Sequence, residues 1–283
     1  MRSWMVRGLL MGLLLSGSSS FAQRLIEIPF TGRTPSLSPN GRVVLLGEVA
    51  IWTEQEGLRY LRADGRLTRN RAEAMNAYAT ALSYDGSIIV GGGRAPQWAF
   101  RWRLGVGLEY LELPSNAWRR TFASTISWDG RVIYGEGELP PNWWQGWRWQ
   151  DGVAVEVPIL ASKCSGDGSC AVGEWNYTPV RWCVGRGHSG PGGVGISADG
   201  RIISGANWRW VEGRGFERIV PPHYYGMAGP ISGDGRIVVG SYHRSLDPDD
   251  LEDWAFIWRE GVGFEDLTEK YAWLIDDPPG GAA

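Results

Sequence analysis

The chain has 283 residues, including 41 glycines and 17 tryptophans, and its 28 basic and 31 acidic residues give a formal net charge of −3. This length is enough for one all-β domain or for two smaller domains. So much glycine and tryptophan argues against a helical bundle. The slightly acidic balance, without any lysine-rich or arginine-rich run, argues against nucleic acid as a partner.

The first 22 residues have the organisation of a cleaved secretory signal peptide. A short segment with two arginines precedes the apolar run LLMGLLL, and the following SGSSSFA places Ser20 and Ala22 at the −3 and −1 positions of the predicted cleavage site. The apolar run is shorter than the ~20 residues needed to span a bilayer, and no later segment is apolar enough for a membrane span. We therefore expect export to the periplasm, the cell surface or the medium, with residues 23–283 forming one domain.

A Ser-x-Asp/Asn-Gly motif followed by aliphatic residues occurs six times in the mature chain. It reads SPNGRVVLLG, SYDGSIIVG, SWDGRVIYG, SGDGSCAVG, SADGRIISG and SGDGRIVVG. The third residues of the motif are spaced by 32 to 45 residues and are Asn40, Asp85, Asp129, Asp167, Asp199 and Asp234. Periods of this size indicate a repeat architecture. Six such serines also argue against a catalytic nucleophile, because an enzyme needs only one.

Each motif is predicted to be a hairpin turn. Asp-Gly and Asn-Gly between apolar runs favour tight primed turns, whose positive φ angles suit Gly, Asn and Asp. The serine hydroxyl is expected to bond the turn backbone. The strand after the turn is apolar at consecutive positions, which predicts cover on both of its faces.

A strand ending in tryptophan follows each turn, and a further apolar stretch usually follows that strand. These tryptophans recur in phase with the repeat and are predicted to be core residues: Trp52, Trp102, Trp149, Trp182, Trp210 and Trp258. Four short strands per repeat, covered on both faces, predict an all-β fold, a β-propeller of about six four-stranded blades. The fourth repeat, which runs into GRGHSGPGG, shows no clear fourth strand. Two segments compete to complete the last blade, RLIEIPF after the signal peptide and GFEDL near the C-terminus.

The repeat resembles the unit of the HAF-repeat family of predicted extracellular proteins. That unit is an apolar-Ser-x-Asp-Gly-apolar-Gly hairpin followed by an Ala-Phe-x-Trp strand, and residues 81–102 and 231–258 match it best. The family's His-Ala-Phe tripeptide appears as Trp-Ala-Phe at 98–100 and 254–256. The resemblance covers nearly the whole mature chain. It implies export and a repeat fold, and it transfers no catalytic residue.

The three cysteines lie in or near the fourth repeat. Cys164 and Cys170 replace aliphatic residues on either side of the turn, so they are predicted to face each other across the hairpin and to form a disulfide in an oxidising compartment. The alternative is a bond from Cys170 to Cys183 across the next hairpin. A metal site is disfavoured because the ligand-pair spacing is missing.

Other candidate sites have stronger structural explanations. The three histidines have no recognisable nucleophile near them in sequence, which disfavours a catalytic triad. The acidic loop 247–253 lacks the spacing of a calcium loop. The glycine pattern at 185–190 is followed by proline and glycine, and a dinucleotide site needs a helix there. We therefore expect no catalytic residue, no metal and no cofactor.

One constellation does favour ligand binding. Glu48, Glu136 and Glu174 take equivalent places where the second strand of a repeat ends, so a propeller would point them toward one rim. Beside Glu136 and Glu174 lie aromatic residues in addition to the tryptophans that the repeat pattern explains. The predicted ligand-binding residues are Glu136, Trp143, Trp144, Glu174, Trp175 and Tyr177. Carboxylates beside exposed aromatic rings suit sugar binding, and sheets about 10 Å apart approach the carboxylate separation of inverting glycosidases. The alternative is that these rings pack on the rim and that the glutamates are solvated.

The sequence therefore favours an exported, non-enzymatic propeller that binds carbohydrate or a surface protein, with no nucleic-acid partner and no membrane span. The alternative is a propeller glycoside hydrolase or lyase that uses Glu136 and Glu174.

Overall fold

A computed structural model describes residues 28, 35–94, 97–114, 118–141, 143–244 and 253–272. The predicted signal peptide, most of the acidic loop and all of RLIEIPF except Ile28 lie outside these residues. The described chain forms six antiparallel sheets arranged in a ring, which confirms the prediction of a six-bladed propeller. We call the sheets blades 1 to 6 in chain order. Within each blade, consecutive strands pair with one another.

The first three blades cover the chain up to residue 157. The strands of blade 1 are β1 (Ser36–Leu37), β2 (Val44–Leu45), β3 (Ala50–Thr53), β4 (Gly57–Leu61) and β5 (Leu67–Thr68). A 3-10 turn, Arg71–Glu73, leads to blade 2. The strands of blade 2 are β6 (Ala77–Leu82), β7 (Ile88–Gly93), β8 (Ala99–Arg103) and β9 (Gly107–Tyr110). The strands of blade 3 are β10 (Arg120–Ile126), β11 (Val132–Leu139), β12 (Trp143–Gln150) and β13 (Val153–Val157).

The last three blades follow the same plan, and a short helix ends the described chain. The strands of blade 4 are β14 (Leu160–Cys164), β15 (Cys170–Trp175), β16 (Thr178–Cys183) and β17 (Gly187–Pro191). The strands of blade 5 are β18 (Gly195–Ile196), β19 (Ile202–Gly205), β20 (Trp208–Val211) and β21 (Gly215–Arg218). Blade 6 and the helix comprise β22 (Tyr225–Ile231), β23 (Ile237–His243), β24 (Trp254–Arg259), β25 (Gly263–Asp266) and α1 (Leu267–Lys270).

Two of these strands answer questions that the sequence left open. The fourth strand of blade 4 exists, because the backbone of GHSGP pairs with β16 without any apolar alternation. The segment GFED forms β25, so it is the C-terminal candidate that completes blade 6. In the described ranges, no helix is long and apolar enough to cross a membrane.

The Ser-x-Asp-Gly motif forms the same hydrogen-bonded turn in every blade, here called the serine turn. In blade 3 the Ser127 hydroxyl accepts a hydrogen bond from the Val132 N–H at 2.9 Å and donates one to Asp129 Oδ1 at 2.6 Å. Asp129 Oδ1 also accepts from the Arg131 N–H at 3.0 Å. The predicted bond from serine to the turn backbone is therefore confirmed.

The predicted turn type is wrong. Only the motif's glycine has a positive φ, +74° at Gly130, whereas both primed turns need a positive φ at the first central residue, here Asp129, and type I′ needs it at both. Ser127 and Val132 are joined by a backbone hydrogen bond of 2.8 Å, so four residues lie in the loop between them. The aspartate side chain, by bonding the Arg131 N–H, stabilises this longer loop in place of a tight two-residue turn.

The serine turns make the fold sensitive to acid. The N–H of Ser87 lowers the pKa of Asp85, and the Ser232 hydroxyl lowers the pKa of Asp234. A carboxyl whose folded pKa is depressed contributes stability above its unfolded pKa of about 3.9, and this stability is lost as the pH falls through the folded pKa. Replacing both aspartates with asparagine, the residue found naturally at Asn40, should therefore flatten the loss of unfolding free energy between pH 5 and pH 3. Urea unfolding across this range tests it, and an unchanged slope contradicts it.

Backbone hydrogen bonds near the axis join successive blades through the second residue of the motif. The Tyr84 N–H donates to Trp128 O at 2.9 Å, the Trp128 N–H to Gly166 O at 2.8 Å, and the series continues from Gly166 through Ala198 to Gly233. The Trp128 indole reaches blade 6, because a Cβ placed on Gly233 would lie 2.5 Å from Trp128 Cη2. The bulky residues of blades 2 and 3 thus fill the space that small residues leave in blades 4 to 6.

Farther from the axis, arginines clamp neighbouring blades together. In blades 2, 4 and 5, the residue before the blade tryptophan is an arginine whose guanidinium lies over the tryptophan of the next blade. The pairs are Arg101 with Trp149 at 4.6 Å, Arg181 with Trp210 at 5.6 Å and Arg209 with Trp258 at 4.5 Å. Arg181 and Arg209 also bond Glu212 and Glu260 of the next blade. These contacts replace part of the apolar packing expected between blades.

The core prediction for the blade tryptophans is confirmed for three of them. Trp102, Trp149 and Trp258 are buried in the apolar clusters between blades. The other three are half-buried: Trp52, Trp182 and Trp210. Trp52 packs with Ile28 and blade 1 residues in one apolar cluster. On blade 6, α1 covers Ile257, on the face of the sheet opposite to Trp258.

The disulfide forms between Cys170 and Cys183, so the predicted Cys164–Cys170 bond is wrong and its alternative is the one observed. Cys170 and Cys183 are directly opposite each other in the β15–β16 ladder, with Cα atoms 4.1 Å apart. Cys164 instead pairs with Ala171, which places it on the other face of the sheet. There its thiol lies 3.6 Å from Thr125 Oγ1 of blade 3, and burial raises its pKa to about 11.

Candidate ligand-binding site at the rim of blades 3 and 4

The candidate residues lie at the end of the propeller opposite the serine turns. We call this end the rim; it carries the hairpins between the second and third strands of the blades. In blade 3 this hairpin joins β11 to β12, and in blade 4 it joins β15 to β16. All six predicted ligand-binding residues belong to these two hairpins, which lie on neighbouring blades.

Strand register separates the candidates by face. Tyr134 of β11 donates a hydrogen bond to Gly168 O of blade 4 at 2.9 Å, so its face of blade 3 lies on blade 4. Side chains alternate along a strand and match across paired strands. Glu136 therefore shares the face of Tyr134, and so does Trp144, which is paired with Glu138.

Strand register also assigns the faces of blade 4. Ala171 of β15 packs in one cluster with Tyr134, so its face of blade 4 lies on blade 3. Trp175 is four residues farther along and shares that face. Together with Glu136 and Trp144, it lines the rim end of the interface between the two blades.

The other three candidates take different positions. Trp143 and Glu174 lie on the opposite faces of their sheets, by the same alternation. Trp143 is 64% exposed, and Tyr177, at the tip of the blade 4 hairpin, is 95% exposed. Strand register thus places Glu136, Trp144 and Trp175 on the facing surfaces of blades 3 and 4, which we call the cleft, and the other three candidates outside it.

Two of the three rim glutamates are electrostatically coupled. Burial raises the pKa of Glu136, and the negative charge of Glu174 raises it further. The third, Glu48, does not join them, because it forms salt bridges with Arg71 at 2.8 Å and Arg94 at 3.5 Å between blades 1 and 2. Glu48 thus lies at the rim, but the arginines of blades 1 and 2 hold it apart from the blade 3 and blade 4 hairpins.

Replacing Glu174 with glutamine should lower the pKa of Glu136 while leaving it above the ordinary glutamate value. The substitution removes the repulsion between two negative charges but leaves the burial, which is the larger cause of the shift. A pH titration of the Glu136 carboxyl carbon by ¹³C NMR measures this. Replacing Glu156, an exposed glutamate on the outer strand of blade 3, is the control and should not move it. An unchanged Glu136 titration in the Glu174→Gln variant would show that the carboxylates do not interact.

Neighbouring side chains hold the aromatic rings of the cleft. The Trp144 ring stacks on Phe122 with centroids 6.4 Å apart, and the Arg120 guanidinium lies 5.1 Å from its centre. Arg120 in turn forms a salt bridge with Glu138. These supporting residues were not predicted, because only the strand pairing of blade 3 brings them beside Trp144.

On blade 4, the Trp175 ring lies 4.5 Å from the His188 ring. The histidine comes from β17, the strand that the sequence pattern did not predict. Trp175 is 43% exposed, so the contact fixes one part of the ring and leaves another open to solvent.

The blade 4 hairpin presents Tyr177 at a conformational cost. Trp175 pairs with Thr178, which leaves a two-residue turn of Asn176 and Tyr177 with φ angles of +47° and +62°. Asparagine tolerates this left-handed region, but a bulky residue such as tyrosine rarely adopts it. The hairpin thus keeps an almost fully exposed aromatic side chain where glycine would fold more easily.

The described residues contain no group of three or more His, Cys, Asp and Glu side chains that would hold a metal ion. The rim of blades 3 and 4 instead combines two carboxylates, Glu136 in the cleft and Glu174 outside it, with several aromatic rings. Carboxylates accept hydrogen bonds from hydroxyl groups, and aromatic faces bury apolar surface. This arrangement suits a ligand that has both hydroxyl groups and apolar faces.

The chain matches no family model and no curated protein, so the resemblance to HAF-repeat proteins stays a prediction. Among solved structures it is similar to TolB from Acinetobacter baumannii, with 13% identity and a TM-score of 0.45 over 80% of this chain and 60% of that one. It is also similar to the Cps50 (Swd1) β-propeller domain from Myceliophteria thermophila, with 12% identity and a TM-score of 0.46 over 81% and 83% of the two chains.

A third similar structure is the periplasmic gluconolactonase PpgL from Pseudomonas aeruginosa. The identity is 16% and the TM-score is 0.40, over 82% of this chain and 80% of that one. Likenesses this distant transfer no function to the chain.

Proposed function

We propose that this chain is an exported β-propeller that acts as a binding module and holds a glycan at the rim between blades 3 and 4. The observation that carries the proposal is the blade 4 hairpin, which keeps Tyr177 exposed in an unfavourable backbone conformation next to the partly exposed Trp175. Strained positions persist where the surroundings impose them, and they cluster at functional sites. A flat surface of this kind beside carboxylates is suited to sugar rings and their hydroxyl groups.

Export is part of the proposal. The N-terminal sequence supports it, since residues 1–22 have the three regions of a signal peptide. The Cys170–Cys183 disulfide also supports it, because disulfides persist mainly in oxidising compartments. Expression in a bacterial host with N-terminal sequencing of the exported chain tests this part. A mature chain that begins at Gln23 is expected, and a full-length chain retained in the cytosol would contradict it.

Glycan binding is tested by titrating the mature chain against a glycan panel by calorimetry. Trp175→Ala should weaken binding of the selected glycan about tenfold, because the ring that a sugar would cover buries apolar surface worth about 1.5 kcal/mol, and about 1.4 kcal/mol is a tenfold change in Kd. The matched control is Phe216→Ala, which removes an exposed aromatic ring from blade 5 near the serine-turn end and should leave binding unchanged. If no glycan binds and a surface protein does, the ligand class is wrong; if neither binds, the module is structural.

A second function, glycoside hydrolysis or lyase chemistry, is favoured by one specific observation. The raised pKa of Glu136 beside Glu174 is what a general acid paired with a carboxylate base needs. Product release from a bound glycan that disappears in Glu136→Gln, while glycan binding remains, would establish this function. Binding without turnover in the wild-type chain supports the binding module instead.

A further inference from the structure

A second polar site lies at the rim between blades 1 and 2, far along the chain from the blade 4 hairpin. A cavity of about 200 Å³ opens there, with Glu48, Arg71 and Arg94 as its charged lining residues. Its remaining walls include Tyr60 and Asn76 together with the apolar side chains of Val49 and Met75. The cavity therefore offers charged groups, an amide and apolar surface within one small volume.

The charges in this cavity do not balance. One carboxylate, Glu48, is shared by two guanidinium groups, with contacts of 2.8 Å to Arg71 and 3.5 Å to Arg94. The site therefore carries one net positive charge. A guanidinium has five N–H donors, and a carboxylate binds such donors in pairs, so both arginines keep donors beyond those that Glu48 engages.

The structure also holds the Arg94 side chain in place. Its guanidinium lies 4.1 Å from the centre of the Tyr78 ring, a favourable cation–π contact. Its backbone N–H donates to Asn76 O at 3.2 Å, which ties the end of β7 to the start of β6. Arg94 is thus oriented at the cavity before any ligand arrives, and pre-organised donors bind at lower entropic cost.

We propose that this cavity binds a monocarboxylate of monosaccharide size, such as a sugar acid, free or at the end of an acidic polysaccharide. One net positive charge matches one carboxylate better than a doubly charged phosphate. The apolar and amide walls suit a ring with hydroxyl groups, and the volume exceeds what a small inorganic anion needs. The proposal does not depend on the cleft between blades 3 and 4.

The test is a titration of the mature chain with galacturonate, galactose and inorganic phosphate, followed by NMR chemical shifts. Galacturonate should bind, and galactose and phosphate should bind at least about tenfold more weakly, since each lacks either the carboxylate or the ring. A trimer of galacturonate that binds as the monomer does points to a free acid or a chain end, and tighter binding points to a polysaccharide. Equal binding of galacturonate and galactose, or better binding of phosphate, would overturn the proposal.

Variants separate this site from general charge effects. Arg94→Gln should weaken galacturonate binding about tenfold, whereas Arg69→Gln, which removes an exposed positive charge outside the cavity lining, should change it little. Glu48→Gln should strengthen binding, because it removes the competing carboxylate; a merely structural role of Glu48 would weaken it instead. Equal losses in the Arg94 and Arg69 variants overturn the proposal. Trp175→Ala should leave galacturonate binding intact even where it abolishes glycan binding at blades 3 and 4.

Discussion

Replacing Arg209 with methionine is expected to lower the free energy of unfolding by about 2 kcal/mol, because it removes charge-assisted hydrogen bonds to two glutamates and leaves a buried carbonyl oxygen without its donor. The Arg209 side chain is only 3% exposed and joins blades 5 and 6. It donates to Glu217 at 2.8 Å, to Glu260 at 3.0 Å and to Gly235 O at 2.8 Å. Methionine fills a similar volume over Trp258 but makes none of these hydrogen bonds.

The matched control is Arg236→Met. Arg236 is also paired with Glu260, at 3.5 Å, but its side chain is 71% exposed, so its loss should cost less than about 1 kcal/mol. Urea unfolding of both variants gives the comparison. A second readout is the pKa of Glu260, which the hydrogen bond from Arg209 lowers and which should rise in the Arg209 variant. Equal destabilisation by the two substitutions would show that Arg209 does not clamp the blades.

Replacing Tyr177 with glycine should stabilise the fold by about 1 kcal/mol and at the same time weaken glycan binding. The stability gain follows from the φ of +62° at this position, because a left-handed conformation costs an ordinary L-residue roughly 1–2 kcal/mol that glycine does not incur. Part of this gain is offset by the greater freedom of glycine in the unfolded chain. The loss of binding follows because the exposed ring is removed from the rim.

Tyr177→Phe is the control for this prediction. It keeps the ring and the strained backbone, so both the unfolding free energy and the affinity for the glycan should stay near the wild-type values. Thermal unfolding and calorimetric titration of the two variants measure the two effects separately. A glycine variant that gains stability without losing affinity would mean that the strained tyrosine serves no ligand at this rim.

The parts of the fold that sequence predicted are those specified by contacts within one blade. The serine turn is one of these, because Ser127, Asp129 and the N–H groups that they bond all lie within six consecutive residues. The number of blades follows directly from the six copies of this turn. The turn type was wrong because the aspartate bonds the loop backbone and thus favours a longer loop over a primed turn.

Contacts between blades were less accessible to sequence reasoning. The pairing of cysteines required knowing that Cys170 lies opposite Cys183, since a shift of one residue moves a side chain to the other face of the sheet. The arginine clamps did have a visible signal, because arginine directly precedes the blade tryptophan in four repeats, as at Arg181 and Arg209. An arginine before a tryptophan does not predict a contact by itself. The contact can be inferred only when the structure shows that the next blade supplies a tryptophan ring and a carboxylate.

The candidate site was predicted in part. The sequence predicted that the two hairpins lie side by side, because equivalent positions of neighbouring repeats point to the same rim. The effect of the Glu174 charge on the pKa of Glu136 agrees with this prediction. The ion pairs of Glu48 were not predicted, since its partners Arg71 and Arg94 are far from it in the sequence and meet it only in the folded chain. The assignment of faces, which places Trp144 but not Trp143 in the cleft, depends on the register of β11 with β12.

The most direct test of the account is differential hydrogen exchange of the mature chain with and without the glycan that the panel selects. Slower exchange is expected in two segments, 136–146 and 173–178, which carry the rim hairpins of blades 3 and 4, while the serine turns at the other end should exchange at unchanged rates. Protection that appears at the serine turns, or in the blades far from these hairpins, would contradict a ligand site at this rim.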